Sequence, residues 1–270
     1  MSFGTVAFVV GSVVSLGTVV TGVVCLDRSD IRHAFDTFER TLIEVAPFVG
    51  IVGVALLIKQ IGHGPSVRLS RVIDWNITPL LYRLEGRFVA GLQAATPDIV
   101  VPAFAAFYIF GFAYLVVTPV VLYFLGSSRR ALKELLVAYA LNYLLGLALY
   151  TLVIARGPRL YIDNGVDGLL FQMYPQIRHL TGAVSVTTNV FPSLHTSLSV
   201  IVFLFAWRTR RAWPRWVLVA ATVTSGVVLS TMVLGIHWLI DVVAGVALAF
   251  ISVRGAVRLV TVIEAMRDRS

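Results

Sequence analysis

Apolar residues run along this chain in long blocks separated by short polar clusters. Phe3 to Leu26 is 24 residues without a charge. A helix needs about 20 apolar residues to cross the hydrocarbon core of a bilayer. Ile99–Gly126, Leu135–Ala155, Val190–Trp207 and Trp216–Ile236 read the same way. A last block starts at Trp238, contains Asp241 and ends near Arg254 or a turn or two later. Thr41–Ile58 is shorter and holds Glu44 and Pro47, which makes it the weakest of the set. The pattern predicts seven spans, with six as the alternative.

Gln60–Pro97 has a different texture. It mixes charges with Leu80, Leu84, Phe88 and Leu92 at helical spacing, and Thr78 followed by Pro79 is a helix-start pattern. This predicts an amphipathic helix lying at the interface, as a connector or as a cover over the route to a site. The expected fold is all-α: a multi-pass transmembrane helical bundle of six to seven spans plus that interfacial helix. Residues 1–98 form the N-terminal spans and interfacial segment, and residues 99–270 form the membrane core.

Composition agrees with lipid as the solvent. The chain of 270 residues is 58% hydrophobic and 13% charged, where a soluble domain carries about 25% charge. One cysteine, Cys25, excludes an internal disulfide and speaks against a cysteine zinc cluster. The first 26 residues lack a basic leader and a small-residue cleavage pattern, so they are expected to be a retained helix. The net charge of +8 would suggest nucleic acid for a soluble protein. Here the cations sit at the ends of apolar blocks, and no nucleic-acid partner is expected. With seven spans, 14 of the 22 Lys and Arg residues fall on the side that carries Arg208, Arg210, Arg211 and Arg215. That side is expected to face the cytoplasm.

Two histidines stand at span boundaries on the opposite side. His195 lies in Phe191-Pro192-Ser193-Leu194-His195-Thr196-Ser197, at the opening of one span. His237 lies in the run from Ser230 to Asp241, at the opening of the last. Two spans separate them, so they share a side however many helices precede. Asp241 follows His237 by four residues, one helical turn on the same face. A carboxylate so placed can fix the imidazole tautomer and stabilise its cation. Ionisable residues inside a span are costly and are functional candidates by default.

Pro192-Ser193-Leu194-His195 resembles the second signature, P-S-G-H, of the type 2 phosphatidic acid phosphatase superfamily. Ser230 through His237 to Asp241 resembles its third, S-R-x5-H-x3-D. Leu194 in place of glycine, with Phe191 before the proline, is closer to the inositol phosphorylceramide synthase-like branch of inositolphosphotransferases. The resemblance covers roughly residues 100–255 and implies a metal-independent membrane enzyme with no cofactor, acting on a lipid phosphate. It implies that His237 attacks phosphorus, oriented by Asp241, and that His195 serves as acid and then base. The resulting phosphohistidine would pass its phosphoryl group to water or to an alcohol.

The chain departs from that family's pattern at two cations. The first signature, K-x6-R-P, is degenerate: Arg156-Gly157-Pro158-Arg159 follows a span, but Leu149 and Leu152 stand where lysine would precede either arginine. Thr231 replaces the arginine of the third signature. Transferring a phosphoryl group needs electrostatic partners. Arg156 and Arg159 are the candidates, Arg159 favoured, with Ser193 and Thr231 also assigned to phosphate binding and Arg178 and His179 as further sources of charge. Tyr139, Asn142, Tyr143, Gly146 and Tyr150 share a helix face and would pack helices together or line a headgroup path. Trp213, Trp216 and Trp238 at span ends suggest an aromatic belt. Competing readings are a proton-relaying transporter and a non-catalytic scaffold. Isoprenoid diphosphates, phosphatidate-like lipids and phosphoinositol donors are all open as substrates, and oligomeric state is not encoded legibly.

Overall fold

A computed structural model describes residues 3–126, 128–163, 165–173 and 190–267. Arg178 and His179 lie outside these. Among the described residues twelve helical elements follow one another: α1 (Phe3–Cys25), α2 (Arg28–Asp36), α3 (Phe38–Ile73), α4 (Thr78–Glu85) and α5 (Phe88–Ala94). Then come α6 (Asp98–Leu125), α7 (Arg129–Leu152), α8 (Pro158–Tyr161) and α9 (Leu169–Met173). The last three are α10 (Leu194–Arg208), α11 (Pro214–Val233) and α12 (Leu239–Arg267). No strand occurs among the described residues; Asn76 and Ile154 form an isolated bridge. Among the described residues six helices are long and apolar enough to cross a membrane, and α10 is a shorter apolar seventh. The protein is an all-α, multi-pass helical bundle.

Large apolar side chains face outward over the bundle, Phe8, Val19 and Leu218 among them. In water such a surface would be an aggregation hazard; in a bilayer it faces hydrocarbon. Inside, α7, α10, α11 and α12 share a core with Leu135, Ile201, Phe205, Trp216 and Ala249 fully buried.

The second span differs from its sequence-based bounds. Thr41–Ile58 lies within α3, a helix of 36 residues that continues through Pro47 and Pro65 to Ile73. Packing explains the length. Helix α3 runs parallel to α7, with Lys133 over the Phe48 ring at one end and Ser66 hydrogen-bonded to Thr151 at 2.6 Å at the other. Gln60–Pro97 is therefore the end of α3, a bend at Asp74 in the left-handed region, and two short helices split at Gly86. Helix α4 starts at Thr78-Pro79 as the pattern indicates. Leu80, Leu84 and Phe88 are exposed, while Leu81, Val89 and Ala90 pack inward. The apolar stripe is thus the lipid-facing side of α4 and α5. The last helix runs on past Arg254 to Arg267, between three and four turns further, about 3.6 residues to the turn.

The aromatic-belt expectation is overturned. Trp213, Trp216 and Trp238 are all buried. Trp213 stacks on Tyr123 at 5.4 Å, and the Trp238 indole N–H donates to the Arg156 carbonyl at 2.8 Å. A buried indole is retained where its N–H finds such a partner. The Tyr139–Tyr150 face serves helix packing: Tyr139 donates to the Val116 carbonyl, and Leu194 packs against Gly146.

An ion-pair network closes the end of the bundle away from the histidines. Glu134, buried, meets Arg130 at 2.9 Å and Arg208 at 2.7 Å, while Lys133 meets Glu264 at 3.1 Å. Pairing compensates the burial of these charges.

Candidate active site

His195 and His237 meet at one end of the bundle, their ring centroids 6.4 Å apart. Each is delivered by a helix start. Ser193 caps α10, its hydroxyl oxygen accepting the Thr196 N–H at 3.3 Å. The Ser193 N–H donates to the Asp241 carbonyl at 3.1 Å, which ties the two histidine motifs together through main chain. That closeness requires glycine at position 245, where a Cβ would lie 2.6 Å from the Ser193 carbonyl oxygen.

His237 sits in the turn between α11 and α12. The Ile236 and His237 N–H groups both donate to the Thr231 carbonyl at 3.0 Å. Gly235 takes φ +69° there, a conformation that favours glycine. Asp241, fully buried, accepts on Oδ2 the Trp238 N–H at 2.9 Å and meets His237 Nδ1 on the same oxygen at 3.3 Å. The second imidazole nitrogen, Nε2, is then the one left for chemistry. The Val190 carbonyl also meets this ring. Burial first, and then the Arg159 charge, hold His237 below the ordinary imidazole range, so it is neutral near pH 7.

Arg159 is half-buried on the α8 turn, with its N–H donating to the Gly235 carbonyl at 3.2 Å and its guanidinium over the Phe171 ring at 4.5 Å. Arg156 is exposed, and its main chain is what the site uses. Its N–H donates to Thr78 Oγ1 at 3.0 Å, and its carbonyl receives Trp238. The bridge between Asn76 and Ile154 holds the same segment. Thr231 is buried with its hydroxyl donating to the Val228 carbonyl at 2.7 Å, so it supports the turn. The structure therefore gathers His195, His237, Asp241, Arg159 and Ser193, and sets the Arg156 side chain apart.

Other residues at the site carry no motif. Tyr108 and Phe112 of α6 lie against the His195 ring at 4.4 and 4.3 Å. Lys59 of α3, over the Tyr143 ring at 5.1 Å, acts electrostatically on His195. A lysine inside an apolar span was the available signal for it. Glu85 of α4 accepts the Ile240 N–H at 3.1 Å, capping the helix that begins beside His237. Burial pushes the Glu85 carboxyl up, against the Leu239 and Ile240 N–H groups that hold it down. Tyr150 donates to the Pro192 carbonyl at 3.0 Å and fixes the loop before His195. Among the described residues no cluster of His, Cys, Asp and Glu side chains could hold a metal ion.

Comparison with known proteins bears on this arrangement. The family model described as the PAP2 superfamily matches residues 80–254. An uncharacterized protein of Methanocaldococcus jannaschii is 30% identical over 182 residues, which cover 65% of this chain and 70% of that protein. No solved structure matches. The family match runs from α4 through both histidine motifs into the last span, and the chain belongs to the PAP2 superfamily, as a membrane enzyme of the phosphatase or phosphotransferase type.

Proposed function

We propose that this protein is an integral membrane lipid-phosphate phosphatase that works through a phosphohistidine intermediate. The observation that carries the reading is the pair of opposed imidazoles, 6.4 Å apart, with a buried carboxylate behind only one of them. His237 Nε2 attacks the phosphorus of a lipid phosphate while the lipid alkoxide leaves and takes a proton from His195. Asp241 stabilises the positive charge that develops on His237. His195, now neutral, takes a proton from water as that water attacks the phosphohistidine, releasing inorganic phosphate and restoring His237. Arg159 neutralises charge on the transferred group. His195, His237 and Asp241 are the assigned catalytic residues, Arg159 and Ser193 belong to the phosphate-binding shell, and residues 99–270 form the catalytic core. The arginine cluster from Arg208 to Arg215 supports a cytoplasmic location for the opposite end of the bundle and, with it, a site on the extracytoplasmic face of the cell membrane.

A second reading replaces water with an alcohol. Leu194, which stands where the family signature has glycine, favours it through the form of that motif. The first half-reaction is unchanged; the phosphoryl or phospho-alcohol group then passes to an acceptor lipid.

Purified protein in detergent, given a panel of lipid phosphates, tests both. Phosphate release by the wild type and its loss in His195→Ala and His237→Ala are expected. Unchanged release in both variants would overturn the assignment. Adding inositol or another alcohol and finding its phosphate ester in place of inorganic phosphate would select transfer.

A further inference from the structure

His195 is held by aromatic side chains that neither histidine motif contains. Its imidazole stacks on Tyr108 with centroids 4.4 Å apart and planes 23° apart, and meets Phe112 at 4.3 Å, tilted 47°. Both belong to α6, where Phe107–Gly111 form a π-helical turn. Such turns widen the helix and reset which side chains share a face. This one is fixed from outside: the Phe107 ring is seated against Gly226 of α11, and Val223 packs on Gly111. Tyr108 also packs with Leu234 and Ile236 of the turn that carries His237.

We propose that Tyr108 and Phe112 are positioning residues for His195, fixing the plane of its imidazole and stabilising its cationic form. The faces of aromatic rings attract cations through their quadrupoles. The charged and titratable groups facing His195 from the other elements are Lys59 on α3, which opposes a positive charge on the ring, and His237 from the α11–α12 turn. No carboxylate pairs with His195 among the described residues, whereas His237 has Asp241. The two rings thus do for His195 part of what Asp241 does for His237. Arg159 acts electrostatically on the Tyr108 hydroxyl, which links the clamp to the phosphate-binding shell.

The inference rests on His195 acting as acid and then base. Steady-state kinetics of Tyr108→Leu, Phe112→Leu and Tyr108→Phe across pH, with thermal unfolding in detergent to verify folding, provide the test. Loss of a ring should lower kcat about 10- to 100-fold, part of the range for general acid–base catalysis, with KM nearly constant. The basic limb of kcat/KM requires protonated His195. Without the ring it should move to lower pH by about half a unit to one and a half units. Tyr108→Phe, which keeps the ring, should hold the limb in place and keep most of kcat. A limb at the wild-type pH in Phe112→Leu and in folded Tyr108→Leu would overturn the inference; if Tyr108→Leu fails to fold, Phe112→Leu decides alone. Activity retained by His195→Ala would instead remove the reading beneath it.

Discussion

Replacing Asp241 by Asn deletes one negative charge and almost no volume, and the structure fixes how much should be lost. Both donors that Asp241 receives, the Trp238 N–H and His237 Nδ1, meet the same oxygen, Oδ2. An asparagine that keeps its carbonyl oxygen at that position preserves both hydrogen bonds and the tautomer of His237. Only the assistance of the charge disappears. Hydrogen bonds to charged groups contribute about 1.5–3 kcal/mol against roughly 1 for neutral ones. The difference, about 0.5–2 kcal/mol applied to a transition state with a cationic His237, corresponds to a fall in kcat of about 2- to 30-fold. Asp241→Ala removes both bonds, leaves the Trp238 N–H buried without its partner and frees the imidazole, so it should lose more. Stability should follow a different order. Asp241 is fully buried, and a buried charge is costly. The Asn variant should therefore unfold no earlier than wild type, and the Ala variant earlier. Phosphate release from detergent-solubilised lipid phosphate, measured as kcat and KM beside a thermal melt, distinguishes these outcomes. An Asn variant as active as wild type, or one slower than the Ala variant, would refute the role given to Asp241.

Arg159→Ala should lower kcat by about 100- to 1,000-fold, the usual cost of removing a preorganised group aimed at developing charge, while Arg156→Ala should cost far less; equal losses would contradict the placement of the two side chains. Because His237 is held below the ordinary imidazole range, its neutral, nucleophilic form persists to lower pH and activity falls only as pH drops through that lowered value. The acid limb of kcat/KM should thus lie below about 6.5 and move upward in Arg159→Ala; a limb at or above the ordinary value in wild type would contradict it. Gly235→Ala puts a side chain at φ +69° with its Cβ 2.6 Å from Val166 and 2.8 Å from the Asp167 carbonyl oxygen. The strain is about 1–2 kcal/mol before any clash, so both melting temperature and kcat should fall, and an unchanged kcat would mean that the turn does not set His237.

Sequence and structure divide the fold along a physical line. The spans were legible because crossing hydrocarbon imposes a length and an apolar composition on a local stretch of chain. The pairing of His195 with His237 was legible because span parity is a topological constraint, independent of how each helix packs. The length of α3 was not, because Lys59, Arg68 and Arg71 give its second half the composition of an interfacial segment, and its packing against α7, where Ser66 bonds Thr151, joins residues far apart in the chain. The burial of Trp213, Trp216 and Trp238 was hidden for a related reason: position at a span end is local, whereas the partners Tyr123, Tyr114 and the Arg156 carbonyl come from distant segments. The proposed Tyr108 and Phe112 clamp lies at a π turn packed against α11. Helical periodicity assigns a face to a residue and leaves its neighbour unspecified. At the proposed phosphate-binding shell, sequence offered Arg156 and Arg159 side by side; in the structure Arg156 is exposed, and Arg159, half-buried, acts electrostatically on His237.

The proposed covalent intermediate on His237 is the point on which the mechanism depends. Brief mixing of the purified protein with a lipid phosphate labelled in its phosphoryl group, followed by denaturation in alkali and peptide mapping by mass spectrometry, reads it directly. The expected result is an alkali-stable, acid-labile phosphoryl group on His237, absent from His237→Ala. Label on a different residue, or full turnover by an enzyme that never acquires label, would contradict the account.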